Sequence, residues 1–204
     1  MLNLAVFVSG RGSNLKAVIE AIENRKLRAT IKAVFTDKAG CGASDIAIDH
    51  SIPVYNISES EKMEHYKFDR LAIFLKSFSI ELIVLSGFVK KIPDKIVEKY
   101  QNKIINIHPA LLPSFGGAGM YGINVHKAVF NSSAKVSGAT VHFVDKVYDN
   151  GKIIAQRAVD ISDVNSPEEI AEKVLELEHS LLPFVIEKIS QNKVVIKDNR
   201  VIVL

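Results

Sequence analysis

The sequence predicts an α/β fold: parallel βαβ units in the first half and an antiparallel part toward the C-terminus. Three observations carry that prediction. Short apolar runs without alternation, Leu4–Val8 and Ile80–Leu85, read as strands buried on both faces. Segments with helical spacing separate them, which is the signature of parallel crossovers. After Pro113 the pattern changes to two long strand-like segments joined by a turn.

Taken in order, Leu4–Val8 is the first strand and Ser9–Asn14 a turn. Leu15–Arg25 carries Leu15, Val18, Ile19 and Ile22 on one helical face. Thr30–Phe35 is β-branched and apolar, and Asp37–Gly40 closes it; Cys41 falls in the same glycine-rich loop. Ile52–Tyr55 is a short strand. Lys62–Phe78 is helical, with Phe68, Leu71, Ala72 and Leu75 aligned. Ile80–Leu85 is a strand, Pro93 opens a short helix to Tyr100, and Ile104–Ile107 is the next strand. Four glycines between Pro113 and Gly122 exclude a helix there and predict a flexible loop. Asn124–Asn131 is a short helix, and Val136–Val144 and Lys152–Ile161 are strands around a turn at Tyr148–Gly151. Ser166 as N-cap, Pro167 at the first helical position and Glu169 two residues on start a helix that runs to about Ser190. A hairpin, Lys193–Ile196 and Arg200–Val203, turns around Asp198-Asn199. No linker divides the chain, so residues 1–204 read as one domain. Parallel sheets bind ligands at the carboxyl ends of their strands, which makes the turns at Ser9–Asn14, Ser86–Lys91 and after His108 candidates for one shared crevice.

Composition limits the function. With 48% hydrophobic and 24% charged residues the chain is neither disordered nor collagen-like. A chain of 204 residues buries about 70% of its unfolded surface and needs no covalent staple. Cys41 is the one cysteine, so an intrachain disulfide is excluded and a reducing, cytoplasmic setting is expected. The net charge of +3, without a basic block, gives no argument for nucleic acid. The longest apolar stretch, Ile80–Phe88, is broken by Glu81, Ser86 and Gly87 and is far short of the ~20 residues of a membrane span. No secretory leader is expected before Leu4.

Three segments carry candidate chemistry. Ser9-Gly-Arg-Gly-Ser-Asn14 joins a strand to a helix, where glycines let backbone N–H groups approach an anion. Leu15 stands where a dinucleotide loop has its third glycine, so one phosphate fits better than a pyrophosphate. The alternative is a tight turn with Ser13 as N-cap. Asn106 and His108 share one face at the end of a buried strand, an amide donor beside an imidazole suited to an oxyanion; a hydrogen-bonded strand end explains them equally well. Asp149-Asn150-Gly151 reads first as turn chemistry. His142 reads as a satisfied strand histidine. His50, His65, His126 and His179 lack any metal-ligand spacing, so no metal is expected, and Cys41 is read as inert.

Asn106-Ile-His-Pro-Ala-Leu-Leu-Pro113 resembles the signature of the folate-dependent formyltransferases, with Ala110 in place of a serine. Gly138–Val144 followed by Asp149-Asn150-Gly151 resembles their second signature. Val8–Leu15 resembles the branch that acts on glycinamide ribonucleotide in purine synthesis. The resemblance covers nearly the whole chain, in order. It implies a Rossmann-like, doubly wound, mostly parallel sheet with an antiparallel C-terminal part. Residues 1–108 would then form a phosphate-binding half and 109–204 a folate and catalytic half. The resemblance also implies a catalytic trio of Asn106, His108 and Asp149, with Asp149 holding His108 charged. By the same likeness Gly12, Ser13 and Asn14 match the substrate-phosphate loop, and Glu178 a glutamate near the glycinamide end. Leu85, Phe88, Val89, Lys90, Lys91 and Ile92 match the stretch bordering the folate pteridine, largely through backbone groups; Ser86-Gly-Phe-Val-Lys90 replaces the commoner A-G-F-M-R.

On this resemblance the substrates are glycinamide ribonucleotide and 10-formyltetrahydrofolate, the latter a dissociating cosubstrate. Neither nucleic acid nor membrane is an expected partner, and a monomer or homodimer is expected. Methionyl-tRNA formyltransferase and formyltetrahydrofolate deformylase share the trio. The first carries a C-terminal nucleic-acid-binding domain and the second an N-terminal regulatory domain, neither of which this sequence shows. A non-catalytic nucleotide-binding module would use the glycine loop and not the trio.

Overall fold

A computed structural model describes residues 1–57 and 64–204. The chain divides into two compact units, Met1–Ile105 and Asn106–Leu204. The class is the expected one: α/β, mostly parallel, with antiparallel strands in the C-terminal part.

The first unit runs β1 (Leu2–Val8), α1 (Ser13–Glu23), β2 (Ala29–Thr36), α2 (Gly42–Asp49), β3 (Val54–Asn56), α3 (Glu64–Ser77), β4 (Leu82–Leu85) and α4 (Asp94–Lys99). Its strands lie in the order β3-β2-β1-β4, all parallel. Leu4 to Val8 are wholly buried, which is why β1 shows no alternation. Register aligns Phe7 with Phe35 and Phe35 with Tyr55. Their rings stack at 4.9 and 5.5 Å, so side-chain pairing fixes the register that the backbone ladder alone leaves open. Because β2 and β3 lie to one side of β1 and β4 to the other, the strand order reverses at β1. The crevice beyond the carboxyl ends of β1 and β4 is therefore the ligand position this topology provides.

Helix α2 has no counterpart in the sequence reading, which left Cys41 in a loop; Cys41 is its N-cap. Eight residues that begin at Gly42 are too few for a period to show. Pro93 is the N-cap of α4, one position before the expected one. The helix expected over Lys62–Phe78 is α3, with Lys62, Met63 and the Phe68 side chain outside the described residues.

β5 (Ile104–His108) carries the chain into the second unit. There follow α5 (Ile123–Asn131), β6 (Val136–Phe143), β7 (Ile153–Asp160), α6 (Pro167–Ser190), β8 (Val194–Lys197) and β9 (Arg200–Val203). The segment expected as a flexible loop is a run of turns. β6 and β7 pair antiparallel, Thr140 opposite Gln156, with a register shift between Val141 and His142. At Gly138 an added Cβ would stand 2.0 Å from the Arg157 carbonyl oxygen, so only glycine lets the two backbones pair. α6 lays Ile170, Val174, Leu181, Leu182, Val185 and Ile186 into the core and packs against β6, β7 and α5. Asp198 and Asn199 both take positive φ, 46° and 65°, as the two-residue hairpin between β8 and β9 requires. Among the described residues no helix is long and apolar enough to cross a membrane.

The α6 start matches its sequence signature. Ser166 Oγ accepts from the Glu169 N–H at 3.3 Å, and Glu169 Oε2 accepts from the Asn165 N–H at 3.0 Å. Ser166→Ala is expected to lower stability by about 1 kcal/mol, read as a shift in the urea midpoint at unchanged slope.

Candidate active site

Period two puts Asn106 and His108 on one face of β5. The β6–β7 turn brings Asp149 to both, and β6 adds His142. His108 Nδ1 lies 3.5 Å from Asp149 Oδ2, and Asn106 Nδ2 lies 3.5 Å from Asp149 Oδ1. Gly117 donates its backbone N–H to Asp149 Oδ2 at 2.9 Å. Asp149 sits at φ 53°, a left-handed position that aspartate tolerates better than most residues. An added Cβ at Gly151 would fall 1.7 Å from the Phe143 carbonyl oxygen. The D-N-G segment is thus a turn that also delivers a carboxylate to this cluster.

The backbone between β5 and the cluster is held by Thr140, which is wholly buried. Its hydroxyl donates to the Ala110 carbonyl at 2.6 Å and accepts from Leu112 N–H at 3.1 Å and from Gln156 Nε2 at 3.0 Å. Two of these three bonds fix the segment that follows His108, and the third ties the hydroxyl to β7. That segment returns at Phe115, whose carbonyl oxygen lies 2.9 Å from His108 Nε2. A carbonyl only accepts, so Nε2 carries a proton.

Burial raises the Asp149 pKa, but the facing His142 ring, the nearby His108 and the Gly117 N–H together outweigh it and leave Asp149 below the ordinary carboxylate range. For His108 the balance runs the other way. Burial pushes it down, Asp149 and the Phe115 carbonyl push it up, and burial prevails. This corrects the expectation that Asp149 holds His108 charged at rest: the carboxylate acts in the expected direction, but desolvation is larger.

In the first unit, α1 begins at Gly12, which is its N-cap at φ 86° without a side-chain cap bond, so Ser13 is not the cap. The first helical bond is Lys16 N–H to Gly12 O at 2.9 Å. The first turn holds no acidic residue, so α1 supplies no anion of its own to its positive end. The two glycines differ. A Cβ at Gly10 would meet nothing within 4 Å, whereas one at Gly12 would stand 2.6 Å from Ala43 Cα in α2. Gly10 leaves open space and Gly12 permits helix packing. Asn14 is buried.

The stretch after β4 lies beside this loop. Val89 donates its N–H to Ser9 Oγ at 3.2 Å, and Ser9 donates to Asp37 Oδ1 at 2.6 Å. That backbone donor of the expected folate stretch is therefore engaged by the protein itself. Leu85 and Ile92 are buried, Phe88 stands edge-on to Phe7 at 5.4 Å, Lys91 pairs with Asp94 at 2.9 Å, and Lys90 is exposed. Glu178 is buried within α6 of the second unit.

Sequence reasoning missed His142, Phe115, Gly117 and His126 as neighbours of the trio. For His142 the only signal was its place in an alternating strand. His126, in α5, is 5% exposed, and its Nδ1 has no hydrogen-bond partner among the described residues. Burial first, then His108, lower its pKa to about 4.

Residues 2–186 match the formyl transferase family. The chloroplastic phosphoribosylglycinamide formyltransferase of Arabidopsis thaliana is 39% identical over 193 residues, 94% of this chain but 66% of the relative, just under two thirds of its length. The phosphoribosylglycinamide formyltransferase of Bacillus subtilis (strain 168) is 34% identical over 190 residues, 93% of this chain and 95% of the relative. The crystal structure of phosphoribosylglycinamide formyltransferase from Anaplasma phagocytophilum superposes with a TM-score of 0.89 at 31% identity, covering 99% of this chain and 93% of that one.

The buried, neutral His126 has a consequence for stability. An unfolded histidine titrates near ~6.5, whereas the folded ring stays neutral down to about 4. Its contribution is complete above the unfolded value and is lost as pH falls toward the folded one. At pH 5 this site alone is expected to cost about 2 kcal/mol relative to pH 7.5. Urea titrations at the two pH values should show a smaller acid loss in His126→Leu than in the unaltered protein.

Proposed function

Because the chain belongs to the formyl transferase family, we propose that it transfers a formyl group from 10-formyltetrahydrofolate to the primary amine of glycinamide ribonucleotide. One observation carries the reading: Asn106, His108 and Asp149, separate in sequence, converge in one buried cluster. The name shared by the plant and bacterial relatives supports it.

The reaction is acyl transfer between nitrogens. The amine attacks the formyl carbon, the carbon–N10 bond breaks, and the amine proton passes to N10. Charge develops on the formyl oxygen, and preorganised N–H donors stabilise it. His108 Nε2–H and Asn106 Nδ2–H are those donors. In the structure the Phe115 carbonyl takes the bond on Nε2; it stands where the formyl oxygen would bind and must yield to it. Asp149, ionised at rest, takes the amine proton directly or through water. It also raises the His108 proton affinity as negative charge grows. A neutral His108 at rest suits this sequence, since the amine must attack unprotonated.

The α1 N-terminus with Gly12, Ser13 and Asn14 would hold the ribose phosphate. The stretch with Leu85, Phe88, Val89, Lys90, Lys91 and Ile92 would border the folate, and Glu178 the glycinamide end. Folate here is a cosubstrate that leaves after each turnover, and the chemistry described uses no metal.

The deciding assay offers glycinamide ribonucleotide, methionyl-tRNA or water as formyl acceptor and identifies the product. Formylation of glycinamide ribonucleotide is expected; release of free formate alone would make the chain a deformylase. Asp149→Asn keeps turn propensity and removes the charge. Turnover should fall by at least ~10² with near-normal binding, and the His108 pKa, followed by NMR, should drop further. A turnover within a few-fold of wild type would leave Asp149 as a turn residue only. Asn14→Ala should weaken glycinamide ribonucleotide binding about tenfold by calorimetry, the scale of one charge-assisted hydrogen bond, and leave folate binding nearly unchanged.

A further inference from the structure

We infer that His142 is a positioning residue that turns the Asn106 amide so that its NH2, and not its carbonyl, faces the reaction site. The inference rests on the reading of Asn106, His108 and Asp149 as the catalytic trio. His142 Nδ1 lies 2.8 Å from the Phe143 carbonyl oxygen. A carbonyl accepts only, so the ring proton sits on Nδ1. In the neutral ring Nε2 is then an acceptor. Two groups face it: Asn106 Nδ2 at 3.2 Å and Asp149 Oδ1 at 3.5 Å. A carboxylate cannot donate, so the hydrogen bond to Nε2 comes from Asn106. The second N–H of the same amide points toward Asp149 Oδ1 at 3.5 Å, a long contact that it exchanges for the formyl oxygen in the proposed reaction.

Rotating that amide by half a turn would set its carbonyl oxygen against a ring lone pair and a carboxylate together. The two acceptors therefore define one amide orientation, and neither alone does so as strictly. His142 itself cannot rotate to relieve a conflict. It is 2% exposed and lies beside the β6 register shift, which re-aims the strand at this point. An amide turned the wrong way would present a carbonyl to the developing oxyanion, replacing an attraction by a repulsion. The ring makes this selection without touching substrate.

Two measurements test it. Long-range nitrogen NMR of the unaltered protein at pH 7.5 should show His142 protonated on Nδ1 and bare at Nε2. A ring protonated on Nε2, alone or as imidazolium, overturns the inference whatever the enzyme's activity. The kinetic test compares His142→Leu, which fills the space without an acceptor, with His142→Gln, whose amide oxygen can reach the Nε2 position. The leucine variant should lose kcat on the order of 10²-fold with both KM values within a few-fold. The glutamine variant should recover to within tenfold of wild type. Equal losses in two folded variants, or an unimpaired leucine variant, mean that His142 is packing and nothing more. If wild type does not formylate glycinamide ribonucleotide, the functional reading fails and the tautomer measurement still decides the positioning claim.

Discussion

The second unit is organised around one buried anion. The Asp149 side chain is 11% exposed, and a carboxylate removed from water must recover its hydration from fixed donors. The Gly117 N–H and the Asn106 amide supply that compensation, with His108 and His142 facing the same two oxygens. These groups come from the loop after β5, from β5 itself and from β6. Their mutual placement follows from the need of a single charge, and that charge persists because the same contacts keep Asp149 below its ordinary titration range.

That dependence explains why the loop after β5 lies where it does. Gly117 reaches Asp149 and Phe115 reaches His108, two residues apart. Between them a Cβ on Gly116 would come within 2.5 Å of Leu112 Cδ2 and 3.1 Å of Asp149 Cβ, so a larger residue there would have to displace the buried Leu112 side chain. Phe115 itself takes φ 55°, an uncommon position for a bulky residue. On the proposed function these contacts hold the donors in place at rest and are exchanged for substrate atoms, a replacement of one set of hydrogen bonds by another of similar worth.

Elements whose signal is local were legible in the sequence. The Ser166 cap, the Asp198-Asn199 hairpin and the buried runs of β1 and β4 each rest on residues adjacent in the chain. α2 was not legible, because its short buried face, Ala43, Ser44 and Ala47, shows only against Gly12. The trio came from a resemblance, since a D-N-G turn and a strand-end histidine carry no local mark of catalysis. Gly12 illustrates the limit of motif reading. Its glycine is required by helix packing and a positive φ, while the open space an anion needs lies at Gly10. His142 was read as satisfied, and it is; what the sequence could not show is that Asn106 is what satisfies it.

The first unit solves its own problem with a neutral hydroxyl where the second uses a charge. Ser9 follows β1, Asp37 follows β2, and Val89 lies on the stretch after β4. The Ser9 hydroxyl donates to Asp37 and accepts from Val89, joining the carboxyl ends of three parallel strands at the point where the strand order reverses. A hydroxyl can do this because it donates and accepts at once, whereas a carboxylate or an ammonium in its place could serve only one neighbour. Spending the Val89 N–H on this link removes it from ligand recognition. What remains at that edge is the N-terminus of α1, whose own first turn carries no acidic residue. On the proposed function, this arrangement suits a phosphate at the helix better than a backbone grip at Val89, and it does so through the side chain that opens the glycine loop.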